Sequence, residues 1–357
     1  MQWNTCSLHA RSNELNQFLS DVQRRPDIIC INETFLKPNS NFYLLNYDVV
    51  RKDRIDRSRG GVATLIRTGL SYKQLQVPDS IEGIAVEVKC KNMTIIVVNV
   101  YLPPSLDIAE ADLRYLFSFR NAVIVGDMNA HSTLWGSTHT TARGNQLESI
   151  IDDFNYCVLN TGIGTHQNPG GGMSVLDLSL VPSILTSKCS FSVSADTMGS
   201  DHLPTFTVIG DQPVEENHNC DKWSIKKADW PAYRAECYKL FNNCMITDDV
   251  NVSNDNVTKA VISASSRSIP KYTIRPTKKH KPLPYWTDKC TRQVRLRNAA
   301  RNKCNRTKAM PDCIEYRRYK GIAQRTIKEA AKTHWQDYCS SLQDTMKLGS
   351  VWKRPRR

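Results

Sequence analysis

The chain has 357 residues, 40% of them hydrophobic and 23% charged, with a formal net charge of +13 at pH 7. No apolar run approaches the ~18 residues that a membrane-spanning helix needs, and Met1 followed at once by Gln2-Trp3-Asn4 does not read as a signal peptide. A membrane protein, a secreted mini-protein and a collagen-like chain are excluded, and the length suits about two or three units.

Short apolar runs bounded by polar residues predict strands at Asp27–Ile31, Val62–Ile66, Ile84–Val88, Thr94–Tyr101, Ala122–Val125, Leu176–Val181, Phe191–Ala195 and Thr205–Ile209. Between them, Ser12–Arg24 places Leu15, Phe18, Leu19 and Val22 on one helical face, and Gly144–Phe154 does so with Leu147, Ile150, Ile151 and Phe154. Many strands with few helices predict an α/β fold of two packed sheets with helices outside. After Gly210 come a polar linker, Asp211–Asp221, and a mixed, partly helical stretch, Trp223–Ser268. A Lys/Pro-rich extended linker follows at Lys271–Pro284. Trp286–Leu348 reads as two long basic helices broken near Met310-Pro311. The expected organisation is 1–210, a linker with partial helix at 211–284, a basic helical connector at 285–348 and a basic tail at 349–357.

Charge divides the same way. Residues 1–210 carry 17 Lys+Arg against 20 Asp+Glu, and residues 211–357 carry the other 31 against 15. Such asymmetry points to a polyanionic partner, with a solvated helix surface as the plainer alternative. The twelve cysteines show neither Cys-x-x-Cys nor finger-type Cys/His spacing. Cys30, Cys90 and Cys157 read as small core residues, and a reducing compartment, cytosol or nucleus, is expected.

Four segments place polar residues beside apolar runs, where α/β sheets put their sites. They are Gln2-Trp3-Asn4, Ile31-Asn32-Glu33-Thr34, Val125-Gly126-Asp127-Met128-Asn129-Ala130-His131 and Gly199-Ser200-Asp201-His202-Leu203-Pro204; Tyr101 and Asp177 complete the set. Taken singly, each is more simply a loop carboxylate, a turn or a cap. Together they form an inventory for one reaction. Hard oxygen donors suit Mg²⁺, a His with a carboxylate partner makes a general base, and Asn, Tyr and hydroxyl groups can bind phosphoryl oxygens as charge develops. No Ser or Cys nucleophile is required if water attacks.

Over about residues 1–210 this constellation resembles the endonuclease/exonuclease/phosphatase superfamily, and within it the endonuclease domain of non-LTR, jockey-like retrotransposons. Gly126–His131 with Leu134-Trp135-Gly136, Arg143-Gly144-Asn145 opening a helix, Thr165-His166 before Asp177, and Ser200–Pro204 carry the likeness. Residues 222–357 look like the connector to a reverse transcriptase, whose paired-aspartate motif is not found here, so a partial element product is expected. The resemblance implies a four-layered, deoxyribonuclease-like sandwich with the Trp-Asn strand at its centre.

It also implies a divalent-metal DNA endonuclease that nicks target DNA and leaves a 3′-hydroxyl. Glu33 would be the principal ligand of Mg²⁺, with Mn²⁺ the alternative, and Asn4 and Asp201 would lie nearby. His202, oriented by Asp177, would act on water or hold the phosphate. Asp127 would orient the nucleophile or protonate the leaving oxygen. Asn129 would position the phosphate and Tyr101 would stabilise its charge. Ser200, Thr165 and Arg143 are candidate DNA or phosphate contacts. Cys6 stands near where abasic-site endonucleases carry an Asp, which favours a retroelement nuclease over a repair enzyme. DNA is the expected substrate, element RNA a further partner of the basic helices, and the nucleus the expected place of action. The competing readings are a repair endonuclease or other phosphoesterase of this fold, and an inactive nucleic-acid-binding fragment. Trp3 is expected in the core and Trp135 as a packing anchor. His131 and His166 are loop or DNA-contact residues and His139 a loop residue. Asn168–Gly172 should form a hairpin turn near the DNA, and Arg51, Lys52, Arg54, Arg57 and Arg59 either touch the DNA backbone or form a solvated loop.

Overall fold

The computed structural model describes residues 1–342 except 23–24, 56–58, 107, 212, 214–220, 243–246 and 274–281. The expected tail 349–357, most of both linkers, residues 343–348 of the last helix, and Arg57 of the basic loop lie outside the described residues. The chain forms two compact units, Met1–Val214 with Lys279–Arg357, and Glu215–Lys278. Among the described residues no helix is long and apolar enough to cross a membrane.

In chain order the first unit opens with β1 (Gln2–Asn4), α1 (Leu8–Asp21), β2 (Ile28–Asn32), β3 (Tyr47–Lys52), β4 (Val62–Arg67), β5 (Tyr72–Leu75), β6 (Glu82–Lys89) and β7 (Thr94–Tyr101). Next come α2 (Glu110–Phe117), β8 (Ala122–Asp127), α3 (Ala142–Asp153), β9 (Tyr156–Val158), β10 (His166–Gln167) and β11 (Met173–Ser174). The remainder before the second unit is β12 (Asp177–Pro182), α4 (Ser183–Thr186), β13 (Cys189–Val193) and β14 (Thr205–Ile209). One sheet runs β13-β14-β1-β2-β4-β3 and the other β5-β6-β7-β8-β12-β9. The short β1 is central, parallel to β2 and antiparallel to β14.

Side-chain parity explains why the strands read as continuous apolar runs: both faces are buried. In the first sheet, Trp3, Ile29, Ile31, Ala63 and Leu65 face Leu8, Leu15 and Leu19 of α1. Their neighbours Val62 and Ile66 turn the other way, onto Ile84, Val86 and Val88 of the second sheet. In that sheet Ile96, Val98, Val100, Ile124, Leu178 and Leu180 pack with α2 and α3. The layers are therefore helix, sheet, sheet, helix, and each fully buried aliphatic side chain contributes about 1.5–3 kcal/mol. Trp3 and Trp135 are buried, as expected. Cys30 is buried, whereas Cys90 and Cys157 are only partly so. The first expected helix starts earlier, at Leu8, because the chain turns through left-handed Cys6 and Ser7 directly after β1.

The second unit pairs β15 (Asp221–Trp223) with β16 (Lys271–Thr273) beside α5 (Trp230–Phe241) and α6 (Val250–Ser268). Asp229 and Asp249 accept hydrogen bonds from backbone amides in the first turns of these helices.

The basic connector is helical, with α7 (Asp288–Thr307) and α8 (Met310–Ser340), and it belongs to the first unit. Not every cation of these basic helices reaches solvent: Arg297 and Arg301 are buried, because acidic and carbonyl groups of residues 14 and 195–196 meet them. Arg292, Arg295, Arg306, Arg318, Arg325, Lys328 and Lys332 are exposed. Among the apolar residues of α8, Ile327 is buried while Ile314 and Trp335 are exposed.

Candidate active site

The parallel pairs β1–β2 and β7–β8 end at one edge, and the same parity that builds the core sends alternate residues between the sheets. Along β2 the inward series is Ile28, Cys30, Asn32; along β7 it is Ile95, Val97, Asn99, Tyr101; along β8 it is Val123, Val125, Asp127. Apolar residues thus give way to polar ones as each strand reaches the edge. Tyr101 pairs with Asp127, and Asp127 with Asp177 on the far side. Gly126 permits this close approach, since a Cβ there would lie 1.7 Å from the Val100 oxygen.

Beneath the edge lies a buried amide network. Asn32 donates to Asn99 Oδ1 (2.8 Å) and accepts from Gln2 (3.0 Å) and from the Asp127 amide (3.1 Å). Gln2 also donates to Asp177 Oδ1 at 2.8 Å. Asn99 donates to the Ala63 oxygen at 3.0 Å, so the network ties the two sheets together. The sequence reading assigned no role to Gln2, Asn32 or Asn99. The available signal was a lone Asn in the apolar run Thr94–Tyr101.

Upon this floor stand the expected site residues. His202 Nδ1 lies 2.7 Å from Asp177 Oδ2, and its Nε2 faces Asp127 Oδ2 at 3.8 Å. Burial alone would lower the imidazole, but the Asp177 and Asp127 carboxylates outweigh it and raise His202 to about 10. Burial pushes Asp127 up to about 7, only partly opposed by His202 and by the hydrogen bond from Asn4 Nδ2 (2.8 Å). Burial would raise Asp177 too, yet His202 and the bonds from Gln2 and Thr165 hold it below the ordinary carboxylate range. Two buried carboxylates in one site are thus driven in opposite directions, a pattern typical of acid–base sites. Asp127, Asp177 and His202 each offer a ligand atom within 4.8 Å of the others, so the trio could also hold a metal ion.

Across the edge, Glu33 sits in left-handed backbone just past β2 (φ 49°), and its Oε1 accepts from the Tyr101 hydroxyl at 2.7 Å. Burial and then the charges of Asp201 and Glu33 push the Cys6 thiol up, so both carboxylates bear on one spot. Burial would raise Asp201, but His202, Lys320 and His166 outweigh it and keep it low. Asn129, also left-handed, donates its backbone amide to Asp127 Oδ1 (3.1 Å) and its side-chain amide to the Leu102 oxygen (3.0 Å).

Three candidate phosphate contacts have other partners. Thr165 Oγ1 is buried and accepts from the Leu176 and Asp177 amides. Ser200 Oγ is buried, donates to the Asn4 oxygen (2.8 Å) and accepts from the His202 amide (3.2 Å). Arg143 donates to the Leu102, Pro103, Leu106, Met128 and Asn129 carbonyls, which ties two loops together. These contacts brace the site. In the basic loop Arg54 pairs with Glu82 and lies over the Tyr101 ring, while Arg51 and Lys52 donate to backbone carbonyls. The His166 ring lies against His202 at 4.5 Å, and His131 stacks on His139. Asn168–Gly172 forms the turn of the β10–β11 hairpin.

Residues 95–206 match the family described as endonuclease-reverse transcriptase. The chain is 28% identical over 280 residues to the RNA-directed DNA polymerase from mobile element jockey of Drosophila melanogaster, covering 74% of this chain and 29% of that protein. It is 25% identical over 281 residues to the jockey polymerase of Drosophila funebris, covering 76% and 30% respectively. The chain therefore spans about three-tenths of the length of these curated relatives. Among solved structures, the endonuclease domain of TRAS1, a telomere-specific non-LTR retrotransposon, matches 58% of this chain and 95% of its own at 21% identity and a TM-score of 0.50, a likeness of fold. Residues 95–206 thus match an endonuclease-reverse transcriptase family, about three-quarters of the chain is similar to part of the polymerase proteins of jockey mobile elements, and the fold is like that of a non-LTR retrotransposon endonuclease domain.

Proposed function

We propose that the chain is a divalent-metal-dependent DNA endonuclease that hydrolyses one phosphodiester bond and leaves a 3′-hydroxyl, nicking target DNA for retrotransposition. The observation that carries this reading is the Asp177–His202–Asp127 row facing Glu33 and Tyr101 across one sheet edge. The donor set fits a hard cation. Glu33 has one carboxylate oxygen on Tyr101, Asp201 is held ionised, and Asn4 Oδ1 meets only the Cys6 amide among the hydrogen bonds described. His202 is a weaker choice as a ligand, because its two carboxylate neighbours keep it protonated. Glu33, with Asn4 and Asp201, would therefore hold Mg²⁺ or Mn²⁺, which supplies charge stabilisation at the phosphate and the leaving oxygen.

The chain's own groups do the rest. Imidazolium His202 cannot accept a proton near neutral pH, so its Nε2–H is assigned to a phosphoryl oxygen. Asp127, with a pKa of about 7, takes the proton of the attacking water. Asn129 and Tyr101 flank the position where the phosphate would lie. Water oxygen bonds to phosphorus, the bond to the 3′-oxygen breaks, the leaving 3′-oxygen takes a proton from solvent water, and the products are a 5′-phosphate and a 3′-hydroxyl. Action in the nucleus, and contact of the exposed basic residues of α7 and α8 with DNA or element RNA, belong to the same reading.

Nicking of supercoiled plasmid with Mg²⁺, and with chelator, tests it. Nicking should require the metal, and Glu33→Ala and His202→Ala should each slow it by at least ~10²-fold. Undiminished nicking by both variants would remove the assignment.

A further inference from the structure

The chemistry assigned above uses residues before 210 and leaves one feature unexplained: the arginines buried on basic helix α7. Arg297 is 0% exposed. Its Nη1 donates to both carboxylate oxygens of Glu14 on α1, at 3.0 and 2.8 Å, and its Nη2 donates to Asp196 Oδ1 at 2.8 Å. One turn on, Arg301 donates to the Ala195 oxygen.

Both contacts fall on the segment that carries Asp201 and His202. Asp196 Oδ1 also accepts from the Met198 amide (2.9 Å), and the Ser200 amide donates to the Thr197 oxygen (3.1 Å). Met198 and Gly199 are both left-handed, so the turn is tight. A Cβ on Gly199 would lie 2.5 Å from Glu14 Oε1 and 3.4 Å from Arg297 Nη1. The turn's backbone therefore rests directly on the ion pair. Beyond it, Ser200 Oγ accepts from the His202 amide, and the His202 ring meets Asp177. A chain of short contacts thus runs from α7 to the imidazole. The same helix pair also touches the hairpin whose His166 lies against His202. Arg317 donates to the Pro169 oxygen at 2.8 Å, and a Cβ on Gly171 would lie 3.3 Å from Cys313 Sγ.

A buried ion cluster adds little stability over apolar groups of the same shape, but in some proteins it serves to specify one arrangement of its members. That is the property a loop needs when it must present two site residues in fixed geometry. We infer that Arg297 is a positioning residue of the nuclease: clamped between Glu14 and Asp196, it fixes the turn that presents Asp201 and His202, so α7 is part of the active-site scaffold. The inference rests on the nuclease reading for its effect on rate, and on the clamp alone for its effect on the loop.

The test uses the full chain and two readouts: hydrogen exchange of peptides covering 195–203, and kcat with KM for plasmid nicking. The double variant Glu14→Leu/Arg297→Met removes the clamp without leaving either of its partners charged and buried. It should raise exchange at the Met198, Ser200 and His202 amides by roughly 10-fold, with β8 peptides unchanged. It should lower kcat roughly 10- to 100-fold with KM nearly unchanged. Arg297→Lys should recover part of both effects, since one ammonium can meet one carboxylate but not the pair. If the double variant does not fold, Asp196→Ala, at a side chain 36% exposed, decides in its place and should shift both readouts the same way. Parent-like exchange and kcat in the deciding variant would overturn the inference. Glu33→Ala separates the two readings: it should abolish nicking and leave exchange at 195–203 unaltered. If the parent itself fails to nick, the nuclease reading falls, and the exchange readout still judges the clamp.

Discussion

The bond between His202 and Asp177 is open to a sharp test through Asp177→Asn. The substitution keeps the shape of the side chain and removes its charge, 2.7 Å from Nδ1 in a site closed to solvent. Unit charges about 4 Å apart at an effective dielectric constant near 20 interact by about 4 kcal/mol. At 1.36 kcal/mol per tenfold change, losing that interaction should bring His202 from about 10 down to near 7. An NMR titration of the imidazole reads this directly. In the parent, the raised histidine contributes stability that is complete below about 6.5 and is lost as pH rises through about 10. The lowered Asp177 contributes stability that is present above its ordinary 3.8 and is lost as pH falls through its folded value. The pair thus stabilises the fold in the window between them. The variant should lose both flanks of that dependence in urea melts taken across pH, and nicking near pH 7.5 should fall by at least ~10²-fold. A His202 that still titrates above about 9 in Asp177→Asn would refute the electrostatic account.

Tyr101→Phe removes the hydroxyl that donates to Glu33 Oε1. A hydrogen bond to a charged group is worth about 1.5–3 kcal/mol, so the Mg²⁺ concentration for half-maximal nicking should rise about tenfold or more, and an unchanged metal titration would detach Tyr101 from the ligand. Asn99→Leu leaves the Asn32 amide and the Ala63 carbonyl without their present partner between the sheets. Urea unfolding should show a loss of about 2–4 kcal/mol, and a loss below about 0.5 kcal/mol would mean that water replaces the network. Trp135→Ala empties a buried site and frees the Ala130 oxygen, which accepts from Trp135 Nε1 at 3.2 Å. It should cost about 3–5 kcal/mol by the same measurement.

Local sequence determined the elements that both sheets bury. Thr94–Tyr101 reads as a strand because a run rich in β-branched residues suits a strand covered on both faces, and the structure has the same bounds there and at Thr205–Ile209. The break between α7 and α8 was equally legible, since Pro311 is tolerated only in the first turn of a helix. Short edge pieces such as β5 and β9 escaped, because three or four residues carry no periodicity, and the turn at Asn168–Gly172 was expected from the resemblance alone. The candidate residues Asn4, Glu33, Tyr101, Asp127, Asp177 and His202 stood out as polar groups ending apolar runs, and their motifs named a family. Their roles waited on the fold. Only the pairing of β7 with β8 and of β8 with β12 sets Tyr101, Asp127 and Asp177 side by side, and only the tertiary contacts of Asp177 with His202, Gln2 and Thr165 hold it low while burial raises Asp127. Arg297 shows the limit most plainly. Within its own helix it is one more cation in a basic run, and nothing local separates it from exposed Arg295. It is buried because Glu14 and Asp196, distant in the chain, arrive at the same place, and a charge can leave water only where the tertiary structure supplies its partners.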